Sequence, residues 1–181
     1  EISKMVKATG AKFIDAPVVK SKPAAIAGKL GIYVGGDEET YEAMKPILLY
    51  MGENVVRMGD NGAGLVMKIC HNALVAQIQN GVNETMCVAK KFGIGPVEFA
   101  TAISYGGGQC FYMDTKSKAI ADENWTTAFS VENEYKDVNI FKALEVKPFE
   151  TATTTNIQFR GACLADGELL DTSAFVRFAQ T

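Results

Sequence analysis

The hydrophobic pattern of this chain changes period once, at Asp60-Asn61-Gly62, and the change divides it into a mixed first part and a helical second part. Before the break, apolar and β-branched residues come in short runs. Lys12 to Val18 and Lys29 to Val34, bounded by Pro17 and by Gly35-Gly36, predict two strands, and Asn54 to Met58 predicts a third. Between the last two, Asp37 can cap a helix whose first turn carries Glu38 and Glu39, acids suited to the positive end of the helix dipole. The residues before Phe13 read as the end of another helix.

After the break the spacing is that of helices. The first runs from Gly64 to about Phe92, with Lys90-Lys91 at its carboxyl end and Gly93 as a stop. Nearly every position from Gly64 to Val88 is apolar or small, so this helix needs cover on most sides. It is expected to form the spine of a helical domain, partly covered by a second subunit. Pro96 suits the first turn of a helix reaching Ser104. Further helices are predicted over Tyr112 to Ala121, Val131 to Leu144, Thr151 to Leu164 and Asp171 to Ala179. The domain division that follows is 1–61 and 62–181.

Composition narrows the classes of function. A chain of 181 residues with 48% hydrophobic content can bury a core, which argues against disorder. The 18 basic residues are scattered and the net charge is -3, so there is no basic stripe for nucleic acid. Cys70, Cys87, Cys110 and Cys163 lie far apart without C-x-x-C spacing, which points to buried, reduced thiols and not to a metal or redox pair. No leader and no run of about 18 apolar residues is visible, so no membrane partner is expected and a cytoplasmic compartment is the default. His71, the one histidine, is read as structural or surface and not as a general base.

The run Gly62-Ala63-Gly64-Leu65-Val66-Met67-Lys68-Ile69-Cys70-His71-Asn72 carries the clearest chemistry. Two glycines open an apolar helix, and a four-residue separation stacks Lys68 and Asn72 on one face in adjacent turns, within reach of one small polar substrate. A lone Lys and Asn on a helix are ordinarily a solvated stripe. Here Leu65, Val66, Met67, Ile69, Ala73, Leu74, Val75, Ile78 and Val82 leave little room for a polar face, so Lys68 is expected to point into protein, where a lysine can titrate usefully.

Four stretches, in order, resemble the beta-hydroxyacid dehydrogenases, the family of 3-hydroxyisobutyrate dehydrogenase and tartronate semialdehyde reductase. Phe13-Ile14-Asp15-Ala16-Pro17-Val18 is similar to the segment leading into the family's substrate loop, and Gly28-Lys29-Leu30 with Val34-Gly35-Gly36 to the strand after it. The pattern Gly-x-Gly-x-x-x-Lys-x-x-x-Asn falls on Gly62, Gly64, Lys68 and Asn72. Phe129 with Lys136-Asp137, and Asp166-Gly167 with Asp171, complete the likeness. The resemblance implies an α/β remnant, the closing strands of a Rossmann-type domain, followed by an all-α domain resembling the 6-phosphogluconate dehydrogenase C-terminal domain. The family's glycine fingerprint is not found: Gly62-Ala63-Gly64 has Met67 where a third glycine belongs, and Gly106-Gly107-Gly108 lacks the strand before it. A fragment lacking roughly a hundred N-terminal residues, inactive by itself, is therefore expected. The stretch from Lys142 to Thr151 is short against the family, as a deletion or an unrecorded loop would make it.

The implied chemistry is reversible hydride transfer between NAD or NADP and a small anionic 3-hydroxy acid or its semialdehyde, in a homodimer or homotetramer. Lys68 would move the proton and Asn72 would hold the substrate or Lys68. Gly62 and Gly64 would let substrate approach the backbone, at a helix start that favours a carboxylate. Lys136 would contact the cofactor, with Asp137 behind it because adjacent helical residues point about 100° apart; an ordinary surface ion pair is the other reading. Where the family has a Ser-Gly-Gly substrate loop this chain has Val19-Lys20-Ser21. Lys20 either meets a larger or more anionic tail or points to solvent. Gly107 and Gln109 fall where the family lines the same cleft, or form a plain helix connection. Two other functions remain open: a non-catalytic helical oligomerisation module derived from the family, and a relative with a changed reaction.

Overall fold

The computed structural model describes residues 1–144, in which a small sheet is followed by helices. Two compact units divide the chain, residues 1–71 and residues from Asn72 onward. The first contains α1 (Ile2–Ala8), β1 (Val18–Val19), α2 (Lys22–Ile26), β2 (Leu30–Gly35), α3 (Glu38–Leu48), β3 (Gly52–Gly59) and the opening turns of α4 (Ala63–Lys91). The strands lie in the order β1-β2-β3, with β1 antiparallel and β3 parallel to β2. A parallel pair needs a crossover between its strands, and α3 supplies it. Asp37 caps α3 as expected, its Oδ1 accepting from Thr40 N–H at 2.9 Å.

The core of this unit is one face of β2. Ile32 and Val34 are 1% and 0% exposed and pack with Tyr41, Leu48 and Val55. Each such side chain contributes about 1.5–3 kcal/mol by leaving water. The Tyr41 hydroxyl, carried into this core, donates to the Val55 carbonyl at 3.1 Å. Tyr33, one residue out of phase with Ile32 and Val34, faces the other way.

The strand expected over Lys12 to Val18 is largely not formed. Asp15 makes an isolated bridge to Gly35, and only Val18–Val19 pairs as a strand, because Pro17 lacks an N–H and interrupts the ladder. Its carbonyl still accepts from Tyr33 N–H at 3.0 Å. The short helix α2, with Pro23 in its first turn, fills a stretch for which no element was expected.

The second unit holds the remainder of α4 with α5 (Pro96–Ile103), α6 (Phe111–Ala121) and α7 (Val131–Ala143). Its apolar core joins Val82, Met86 and Cys87 of α4 to Tyr112, Met113 and Ile120 of α6. These helices match the expected ones to within a residue or so at each end. Ser130 caps α7, its Oγ accepting from Asn133 N–H at 3.3 Å. Within α4 the covered face is not purely apolar: Asn72, Gln79 and Asn83 are buried while Leu74 and Val88 are exposed. The Tyr112 hydroxyl donates to Asn83 Oδ1 at 3.1 Å, and Asn83 Nδ2 has no partner among the described residues.

Cys87 is buried, as expected of a structural thiol, but Cys70 is exposed because it falls on the outward side of α4. No helix among the described residues is long and apolar enough to cross a membrane. The helices expected over 151–164 and 171–179, with Asp166, Gly167, Asp171 and Cys163, lie outside the described residues.

Candidate active site

The start of α4 is built around a carboxylate. Asp15, 7% exposed, accepts from Gly62 N–H at 2.6 Å through Oδ1 and from Leu65 N–H at 3.0 Å through Oδ2. These are amides that a helix cannot pair for itself. Two glycines make room for the acid. A Cβ on Gly35 would lie 2.5 Å from Asp15 Oδ1, and one on Gly64 would lie 2.6 Å from the Tyr33 carbonyl and 2.8 Å from Asp15 Oδ2. Gly62 has a φ of 99°, a conformation that favours glycine. Asn61 ties the same junction, donating from Nδ2 to the Phe13 carbonyl at 2.8 Å and to the Gly35 carbonyl at 3.1 Å. The anion that this helix end holds is thus the protein's own, and the close approach that Gly64 permits is to Asp15 and Tyr33. Sequence reasoning quoted Asp15 without giving it a role, although an acid inside the run Phe13 to Val18 was a signal.

Lys68 follows Gly64 by one turn of α4 and is half-buried. His71, three residues further, is hydrogen-bonded through Nδ1 to the Tyr33 hydroxyl at 3.2 Å. Burial, and secondarily the charge of Lys68, hold the imidazole below its ordinary value of 6.5 and so favour the neutral ring. This fits a structural His71.

Asn72 is 6% exposed, and its Nδ2 donates to Asp137 Oδ2 at 2.5 Å. A carboxylate only accepts, so the contact fixes which way the amide points. Asn72 keeps a second N–H and its carbonyl for other partners. Asp137, also 6% exposed, places Oδ1 3.2 Å from Lys136 Nζ, whose side chain is 60% exposed. One buried carboxylate therefore joins Asn72 and Lys136, and Lys136 is left accessible as a cation.

Lys20 and Ser21 stand between β1 and α2. Lys20 has a φ of 74°, a left-handed conformation uncommon for a residue with a Cβ. Its Nζ lies 2.5 Å from Glu53 Oε1, and this contact lowers the Glu53 carboxyl below its ordinary range. Ser21 is the residue before α2 and makes no side-chain cap. Gly107 and Gln109 lie in the exposed connection between α5 and α6.

Comparison with known proteins agrees with this architecture. The family model for the NAD-binding domain of NADP-dependent 3-hydroxyisobutyrate dehydrogenase matches residues 62–179, and that for the NAD binding domain of 6-phosphogluconate dehydrogenase matches residues 1–59. The chain is 30% identical to 2-hydroxy-3-oxopropionate reductase of Escherichia coli (strain K12), over 97% of this chain and 61% of that protein. It is 39% identical to mitochondrial 3-hydroxyisobutyrate dehydrogenase of Bos taurus, over 64% of this chain and 34% of that protein. The solved structure of Mycobacterium tuberculosis 3-hydroxyisobutyrate dehydrogenase with L-serine shares the fold, with a TM-score of 0.89 at 24% identity, over 99% of this chain and 65% of that one. In each case the chain spans less than two thirds of the relative's length.

The fold and the two family models, which together match most of the chain, define the class as that of the NAD-binding dehydrogenases. This chain belongs to the 3-hydroxyisobutyrate dehydrogenase family, whose cofactor is NAD or NADP.

Proposed function

We propose that the chain is the greater part of an enzyme that moves a hydride between a nicotinamide cofactor and a small 3-hydroxy acid or its semialdehyde, with Lys68 as the proton donor and acceptor. The observation that carries this reading is the placement of Lys68 one turn past a capped, glycine-opened helix start, with Asn72 held by Asp137 in the next turn. As a carbonyl accepts hydride its oxygen gains charge, which an ammonium can stabilise and protonate. In the oxidative direction the neutral amine takes that proton back. Asn72, with Nδ2 turned to Asp137, offers its remaining N–H and its carbonyl to the substrate or to Lys68.

The cofactor supplies the hydride when bound. Lys136 is an exposed cation tethered at one point and fits a contact to the cofactor, with Asp137 setting its position. The pyrophosphate fingerprint is not in this sequence, so that function falls to a preceding segment, which the span of the relatives supports. The matches ending at residue 59 and beginning at 62 support division into a cofactor half, 1–61, and a helical half, 62–181.

Lys20 and Ser21 are the candidate contacts for the acid's anionic end, and Gly107 and Gln109 are proposed as further substrate contacts. Gly62 and Gly64, expected to meet the substrate, instead face the protein's own Asp15 and Tyr33, and their proposed part is to set where the helix carrying Lys68 begins. The intact enzyme is proposed to be a cytoplasmic homodimer or homotetramer without nucleic acid or membrane partners. The family matches do not favour a non-catalytic module.

The test is absorbance of the reduced nicotinamide in an enzyme with a complete cofactor half, across a panel of 3-hydroxy acids. Lys68→Ala is expected to lower turnover by about 10²–10⁴-fold. No turnover with any acid overturns the reaction, and turnover surviving in the variant removes Lys68 from it.

A further inference from the structure

We propose that Asp15 is a positioning residue for proton transfer: its buried carboxylate, carried beside the sheet, fixes where the Lys68-bearing turns of α4 begin. This rests on the reading of Lys68 above. An ordinary helix cap comes from the residue just before the helix and moves with it. Asp15 is 47 residues from Gly62 and 50 from Leu65 in sequence, so its two bonds measure the helix against β2 and hold it there. The bridge from Asp15 to Gly35 joins the acid's own backbone to that strand, with N–H···O distances of 3.0 and 2.8 Å.

The fit admits little else. Both carboxylate oxygens are used, each by a backbone N–H. An asparagine of the same size would turn an NH2 group toward one of those donors, and a glutamate would need room that Gly35 and Gly64 show to be taken. Leu65 lies three residues before Lys68, so an error at the cap passes directly into the lysine's position. Rigid transmission is short: a helix advances about 1.5 Å per residue. Displacement of a reacting group by about 1 Å can lower a rate on the order of 100-fold.

The experiment compares Asp15→Asn and Asp15→Ala with the parent enzyme carrying a complete cofactor half, below the unfolding midpoint of each. Backbone amide exchange is measured over residues 62–68, together with kcat, KM and rescue by formate. Faster exchange at Gly62 and Leu65, a fall in kcat of about 10- to 100-fold with a smaller change in cofactor KM, and partial recovery of Asp15→Ala by formate are expected. An unchanged kcat per folded molecule, with only a lower unfolding midpoint, overturns the proposal and leaves Asp15 a stabilising cap. Unchanged exchange at Gly62 and Leu65 overturns it as well. If the parent itself turns over no hydroxy acid, the reading of the reaction has failed. The exchange data then still decide whether Asp15 holds the helix start.

Discussion

Two buried aspartates, one in each unit, are satisfied in opposite ways. Asp15 accepts only backbone N–H groups, whereas Asp137 accepts the side chains of Asn72 and Lys136. A carboxylate on backbone donors holds a piece of secondary structure in place. One on side chains orients the groups themselves, here tying α4 to α7 through Asn72 without taking up any helix's own amides. Similar exposure of the two acids, 7% and 6%, says nothing of this difference; the identity of the donors does.

The comparison breaks most visibly through Asp137. Asp137→Ala strands the Asn72 amide in a buried position, which costs about 1–3 kcal/mol. It should also lower kcat by on the order of 10- to 100-fold, because a misaimed group near the reaction is expensive. Unlike the Asp15 variants, it should not speed backbone exchange at the start of α4. Steady-state kinetics beside exchange mass spectrometry check both halves, and faster exchange at Gly62 and Leu65 in Asp137→Ala would end the contrast.

A smaller effect concerns pH. The folded-state pKa of His71 is depressed, so below its ordinary value of 6.5 the unfolded chain takes up a proton that the folded chain resists. Stability from this residue is therefore complete above about pH 6.5 and declines as pH falls from there through the depressed value. His71→Gln should flatten the unfolding midpoint across that window. A midpoint with the same slope in parent and variant would remove His71 as the cause.

The smallest change is expected from Glu53→Gln, which leaves Lys20 without its carboxylate partner. The unfolding midpoint should stay where it is. The KM for acids with a second anionic group should fall a few-fold, since the released ammonium no longer faces a competing anion, in line with the modest worth of exposed pairs. Equal KM values for mono- and dianionic acids in parent and variant would make Lys20 a loop residue only.

Much of the fold was legible because periodicity reports burial within one element. The strands over Lys29 to Val34 and Asn54 to Met58, the Asp37 cap and the helices after Gly64 all follow from local pattern. The first strand was over-read because its apolar run continues through Pro17, which cannot donate to a ladder. Helix α2 was missed because five residues are too few to show a period. The spacing of Lys68 and Asn72 is likewise local and was visible. The partners that hold the candidates were not: Asp15 meets α4 across some 50 residues, and Asp137 meets Asn72 across 65. Nothing in either local sequence encodes such a meeting. The buried Gln79 and Asn83 escaped notice because the apolar majority around them masks a polar seam.

The left-handed turn at Lys20 bears on how such a loop changes through descent. A backbone that keeps glycine's conformation while carrying a side chain works as a socket: the path of the chain stays put and only the inserted group varies. Glycine, lysine or a short polar residue can succeed one another there with little disturbance to β1 on one side or α2 on the other. The side chain at this position can thus change without rebuilding the strand and helix that flank it.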